Sequence, residues 1–139
     1  REELRVLAEE VLDAVDGAWP PVLDCVPVVR ALAATEEAHL LARVTASIGK
    51  TPTVTALSRT AMIVGEALQA LLNGQATEAV GLLDKAVERQ QEVRRTFEAA
   101  CLELELARAL EAAGRSEEAQ AVRARADAVL VPLGCVNPF

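Results

Sequence analysis

The chain repeats itself forty residues apart, and that spacing limits its fold more than any other feature. Gly74-Gln75-Ala76-Thr77-Glu78-Ala79 aligns with Gly114-Arg115-Ser116-Glu117-Glu118-Ala119 at an offset of 40. The same offset brings Leu57 onto Phe97, Ala61 onto Cys101, Val64 onto Leu104, Ala67 onto Ala107 and Ala86 onto Ala126. A weaker early copy, Thr35-Glu36-Glu37-Ala38, matches Ser116-Glu117-Glu118-Ala119 about two repeats away. Self-similarity at periods of roughly 20–50 residues marks stacked supersecondary units. Each unit here reads as a helix ended by glycine, a tight turn, and a second helix opened by acids. Small alanines at the crossing let paired helices approach closely, and each pair hides its remaining apolar face on the next. The expected fold is all-α: antiparallel helix pairs stacked as a short α-solenoid of about seven helices.

The helices can be placed along the chain. Leu4, Leu7, Ala8, Val11, Leu12 and Val15 fall at helical spacing and predict a first helix ending near Gly17. Trp19-Pro20-Pro21 stops it. Asp24 is expected to cap a short second helix, with Pro27 in its first turn and an end by Ala34. Thr35 is expected to cap a third, closing at Gly49, and Thr51-Pro52 reads as the start of a fourth that ends at Asn73-Gly74. A fifth carries Ala79, Leu82, Leu83, Ala86 and Val87. No Gly or Pro marks its end, so the turn is placed between Glu92 and Thr96, with Thr96 as cap. The sixth runs to Ala113; the seventh starts at Ser116 and ends around Pro132 to Gly134. No segment alternates with period two, so no strand is expected. Residues 1–139 are read as one domain: divergent N-terminal helices over 1–50, two clear helix pairs over 51–134, and a tail over 135–139.

Leu106-Ala107-Arg108-Ala109-Leu110-Glu111-Ala112-Ala113-Gly114-Arg115-Ser116-Glu117-Glu118-Ala119, with Ala126 and Leu133-Gly134 beyond it, resembles the tetratricopeptide class. More closely, it looks like the C-terminal repeats of large bacterial LuxR-type ATP-binding regulators and related multidomain nucleotide cyclases. The resemblance covers about the last 80 residues. It implies a TPR-like regulatory module in signal transduction or transcription regulation, joined to a nucleotide-binding, DNA-reading or cyclase domain.

The last pair differs from the inner one in polarity. Ile63, Leu68 and Leu71 become Glu103, Arg108 and Glu111, while Leu83 and Val87 become Arg123 and Asp127. Apolar positions turned charged are what a terminal repeat with a wet outer face requires, so Leu83 should be buried where Arg123 is exposed. The complementary expectation is that apolar faces at the N-terminal helices support a homodimer.

Charge and composition exclude several functions. A net charge of −7 argues against nucleic-acid binding, which needs clustered cations; Arg89, Arg94 and Arg95 read as a solvated face among glutamates. Cys25, Cys101 and Cys135 form neither a disulfide framework nor a paired metal motif, which suits a reduced, cytoplasmic chain. Lys50, Arg59, Glu66 and Asp84 interrupt the most apolar stretch, so no membrane span is expected. Gly49-Lys50-Thr51 imitates the tail of a phosphate-binding loop, but Val44 stands where that motif needs glycine. His39 is the one histidine and has no nucleophile at a catalytic spacing. Adjacent acids such as Glu36-Glu37 point apart on a helix. No enzyme, cofactor or metal is therefore expected. Thr55, Arg59, Glu66, Gln69 and Asn73 form a polar stripe on the first helix of the inner pair, where a protein or peptide partner could dock. The alternative is an effector-sensing helical domain holding a small molecule in its groove.

Overall fold

The computed structural model describes residues 5–6, 9–10, 12–13, 24–52 and 54–135. Among these residues the secondary structure is helical, with no β-strand. Six helices have described bounds: α1 Val26–Ala33, α2 Ala38–Gly49, α3 Ala56–Leu72, α4 Ala76–Glu92, α5 Thr96–Ala112 and α6 Ser116–Leu130. A short 3-10 turn, Val131–Leu133, follows α6. Among the described residues, six helices rather than about seven have defined bounds. Leu4, Leu7, Ala8, Val11 and Val15 of the expected first helix lie outside the described residues. Arg5, Val6, Glu9, Glu10, Leu12 and Asp13 are helical.

The forty-residue repeat resolves into two twenty-residue ones. Helices begin at Ala56, Ala76, Thr96 and Ser116, and the first three of these end at Leu72, Glu92 and Ala112. Positive φ recurs at the same interval, at Gly74 (78°), Arg94 (58°), Gly114 (76°) and Gly134 (70°). Three of these turns share one hydrogen-bond pattern. Arg94 and Arg95 donate to Gln91 and Gln90, Gly114 and Arg115 to Glu111 and Leu110, and Gly134 and Cys135 to Val131 and Leu130. This is the Schellman arrangement, in which a left-handed residue lets the chain satisfy the last helical carbonyls. Glycine adopts that conformation freely, whereas an L side chain pays a steric cost for it.

Most expected caps sit elsewhere. Thr35 donates its hydroxyl to the Leu32 carbonyl at 2.7 Å, closing α1 rather than opening α2, whose N-cap is Glu37. Thr51 is buried short of α3, and the cap there is Thr55, whose Oγ1 accepts from the Ser58 amide at 3.1 Å. Thr96 is the first helical residue of α5 rather than its cap, α6 starts at Ser116 as expected, and Arg95 and Arg115 occupy the N-cap positions. In place of a hydroxyl cap, each arginine reaches the glutamate three residues on. Arg95 meets Glu98 at 2.6 Å, and Arg115 meets Glu118 through two bonds of 2.7 and 2.6 Å. Asp24 does accept from the Val26 amide at 3.0 Å, and Pro27 lies in the first turn of α1 as expected.

The chain divides into two compact units, residues 1–73 and 74–139. In the first, α1 packs on both α2 and α3, and α2 packs on α3. Val29, Leu40, Leu41, Val44, Ile48, Ala61 and Val64 are buried here. A glycine sets the approach of α2 to α3. A Cβ added at Gly65 would fall inside contact distance of Thr45 Oγ1, and within 3.0 and 3.1 Å of Thr45 Cγ2 and Cβ.

In the second unit, α4 packs on α5 and α5 on α6. Three-residue turns leave successive helices antiparallel. The middle helix, α5, is buried from Ala99 to Leu110 at nearly every position. Ala100 and Leu104 meet Ala126 and Leu130 of α6, with Cys101, Val129 and Cys135 against them. Burying each large aliphatic side chain contributes about 1.5–3 kcal/mol. The contrast expected between Leu83 and Arg123 is present: Leu83 is 0% exposed and the Arg123 side chain 44%. Val87 is buried, while Arg108, Glu111 and Asp127 are exposed. Glu103 is the exception, at 5% exposed. Its carboxylate is buried because Arg125 of α6 reaches it at 3.1 Å.

Candidate functional site

The expected stripe lies on one helix, but its members do different things. Thr55 is the N-cap of α3, with its hydroxyl also 3.0 Å from that of Ser58, and Asn73 is the C-cap. These two are committed to ending the helix. Arg59 and Glu66 are exposed and Gln69 is half-buried. At helical spacing the three fall on one face, about three turns long. Met62 lies among them, half-buried, its Cε 3.2 Å from where a Cβ on Gly49 would stand. The stripe is therefore a charged rim around a methionine seated on the end of α2. Met62 is not among the apolar positions Leu57, Ala61, Val64, Leu68 and Leu71 that the helical spacing singles out.

A second feature, in residues 74–139, was not anticipated. The α4–α5 turn, α5 and α6 enclose an open cleft of about 420 Å³. Its lining comprises Gln91 and Arg94 ahead of α5, Thr96, Ala99, Ala100 and Glu103 of α5, and Arg125 and Val129 of α6. Arg125 donates through Nε to Glu103 Oε1, which leaves its terminal N–H groups without a partner among the described residues. Arg94 is exposed and makes no ion pair among the described residues. A smaller cleft of about 290 Å³ lies further along α5, beside Asp84, Arg115 and Glu118. There the hydrogen bond from Arg115 holds the Glu118 carboxyl below the usual glutamate range. The same bond, with the Glu118 and Asp84 charges, pushes the Arg115 guanidinium up.

The remaining candidates are dispersed. His39 is exposed on α2, its Nδ1 3.4 Å from Glu37. Gly49 ends α2 and Lys50 is its C-cap, so the Gly49-Lys50-Thr51 triplet closes a helix. Burial pushes the Cys25 thiol up, with a further push from Asp24. None of Cys25, Cys101 and Cys135 is in a disulfide among the described residues. Among the described residues no group of three His, Cys, Asp or Glu could hold a metal ion, and no helix is long and apolar enough to cross a membrane. Of the arginines read as a solvated face, Arg89 and Arg94 are exposed and Arg95 is paired with Glu98.

No protein-family model matches this chain, and neither a curated protein nor a solved structure matches it.

Proposed function

We propose that this chain is a non-catalytic interaction module, a tetratricopeptide-like α-solenoid serving a larger, cytoplasmic bacterial signalling or transcription regulator. The observation that carries the reading is the α3 face, where Arg59 and Glu66 stand exposed and without an ion-pair partner among the described residues, on either side of Met62. Exposed charges around a flexible apolar centre suit a docking surface for a protein or peptide, or for a neighbouring domain of the same chain. The twenty-residue helix register and the resemblance of residues 106–119 support the wider family context. A photo-crosslinking residue at Gln69 tests the reading. It should give one discrete adduct in cells, lost with Arg59→Glu and absent when the crosslinker replaces exposed Asp127. Equal adducts at both sites would sink it.

One observation favours a second reading, an effector-sensing domain that binds a small molecule: the cleft of about 420 Å³ beside Arg94 and Arg125. Small-ligand sites span roughly 300–1,000 Å³.

A further inference from the structure

Arg94 and Glu103 are two of the places where residues 74–135 depart from the twenty-residue register, and both line the same cleft. Glycine occupies the positive-φ position at 74, 114 and 134, but at 94 an arginine adopts it. Ile63 and Leu83 precede Glu103 in the register, yet Glu103 is as buried as a core residue. A strained backbone and a buried charge each cost stability. Such departures from local rule collect where side chains are used.

We propose that this cleft receives one carboxylate of a small organic acid, clasped between Arg94 and Arg125. The proposal rests on the effector-sensing reading above. Glu103 holds the Nε of Arg125 at 3.1 Å, which fixes the plane of the guanidinium and leaves its outer N–H groups for a ligand. A planar fork of this kind matches a carboxylate in two parallel hydrogen bonds. Arg94, without an ion-pair partner among the described residues, brings a second guanidinium to the same lining.

Charge selects the ligand class. Two arginines and one glutamate leave the cleft with a single positive charge, which a monoanion neutralises. A phosphate group, with about 1.5–2 negative charges, would overfill the site beside the Glu103 carboxylate. A polyanion would in addition meet the field of a chain whose net charge is −7. Ala99, Ala100 and Val129 offer an apolar wall for a short hydrocarbon chain next to the carboxylate.

The test is an NMR titration of the full chain at neutral pH with butyrate, butanamide and inorganic phosphate. The signals to follow are the Arg94 and Arg125 Nε–H groups and the Ala99, Ala100 and Val129 methyls. Butyrate should give saturable shifts, with butanamide weaker by about 10-fold or more. Arg94→Gly should weaken butyrate by a similar factor while melting no lower than the parent, since it relieves the strained turn. Arg89→Gln, on α4 and outside the cleft, should bind as the parent does. Equal binding of butanamide, or tighter binding of phosphate, overturns the carboxylate assignment and leaves the effector reading standing. No saturable shift with any probe overturns both.

Discussion

Replacing Arg94 by glycine should stabilise the protein, although it removes a side chain and adds backbone freedom. Arg94 has φ 58°, where an L residue is disfavoured by roughly 1–2 kcal/mol. Glycine removes that cost but enlarges the unfolded ensemble, which offsets about 0.4–1 kcal/mol. The net expectation is a gain of about 0.5–1 kcal/mol. Gly114 provides the reciprocal experiment at the next turn. A Cβ there would meet nothing within 4 Å, so Gly114→Ala carries the backbone cost with no steric one. It should destabilise by about 1 kcal/mol. Both variants are measured by urea unfolding followed by circular dichroism. An unchanged denaturant slope confirms that the shift in midpoint reports stability alone. If Arg94→Gly is neutral or destabilising while Gly114→Ala costs nothing, the left-handed turns are not strained and the reasoning fails.

Four further outcomes are expected. Gly65→Ala should cost about 1–2 kcal/mol despite its better helix propensity, because the methyl overpacks Thr45. Adding Thr45→Ala should recover part of that loss, and a double-mutant cycle showing no coupling would contradict the contact. Glu103→Leu, which restores the register residue, should be neutral or stabilising, whereas Arg125→Ala should cost about 2 kcal/mol by leaving a buried carboxylate unpaired; equal effects in urea melts would refute the pairing. The Glu118 carboxyl should titrate below the ordinary glutamate range by NMR and return to it in Arg115→Gln. Because its folded pKa is depressed, what this pair contributes to stability is present above the unfolded glutamate pKa and is lost as pH falls through the folded one. Finally, Cys25, buried and with its thiol pKa raised, should be alkylated by iodoacetamide more slowly than Cys101 or Cys135; faster reaction at Cys25 would show that its burial is wrong.

Much of the helical pattern was legible because glycine and apolar spacing act locally. Asn73-Gly74 and Gly114 end helices where expected, and the turn near Glu92 to Thr96 is present without either signal residue. Continuing the spacing of Gly74, Gly114 and Gly134 by twenty rather than forty would have put Arg94 in the left-handed position from sequence alone. Helix starts were less legible. Thr35, Thr51 and Thr96 look like hydroxyl caps, but the turns that precede α5 and α6 use an arginine bonded to a glutamate one turn later. That pattern competes with the hydroxyl signal and is easily read as ordinary surface charge. The site divides in the same way. Exposure of Arg59 and Glu66 follows from periodicity within one helix. The cleft needs residues from the α4–α5 turn, α5 and α6 together, and the burial of Glu103 depends on Arg125, 22 positions away. Periodicity within a single helix carries no information about such a pairing.

A twenty-residue register, with a left-handed residue at each turn, organises residues 56–135. Backbone scalar couplings and carbon secondary shifts measure this directly at Gly74, Arg94, Gly114 and Gly134. Positive φ is expected at all four, with Arg94 breaking the helical shifts between Glu92 and Thr96. Uninterrupted helical values through Arg94, joining residues 76–112 into one helix, would contradict it.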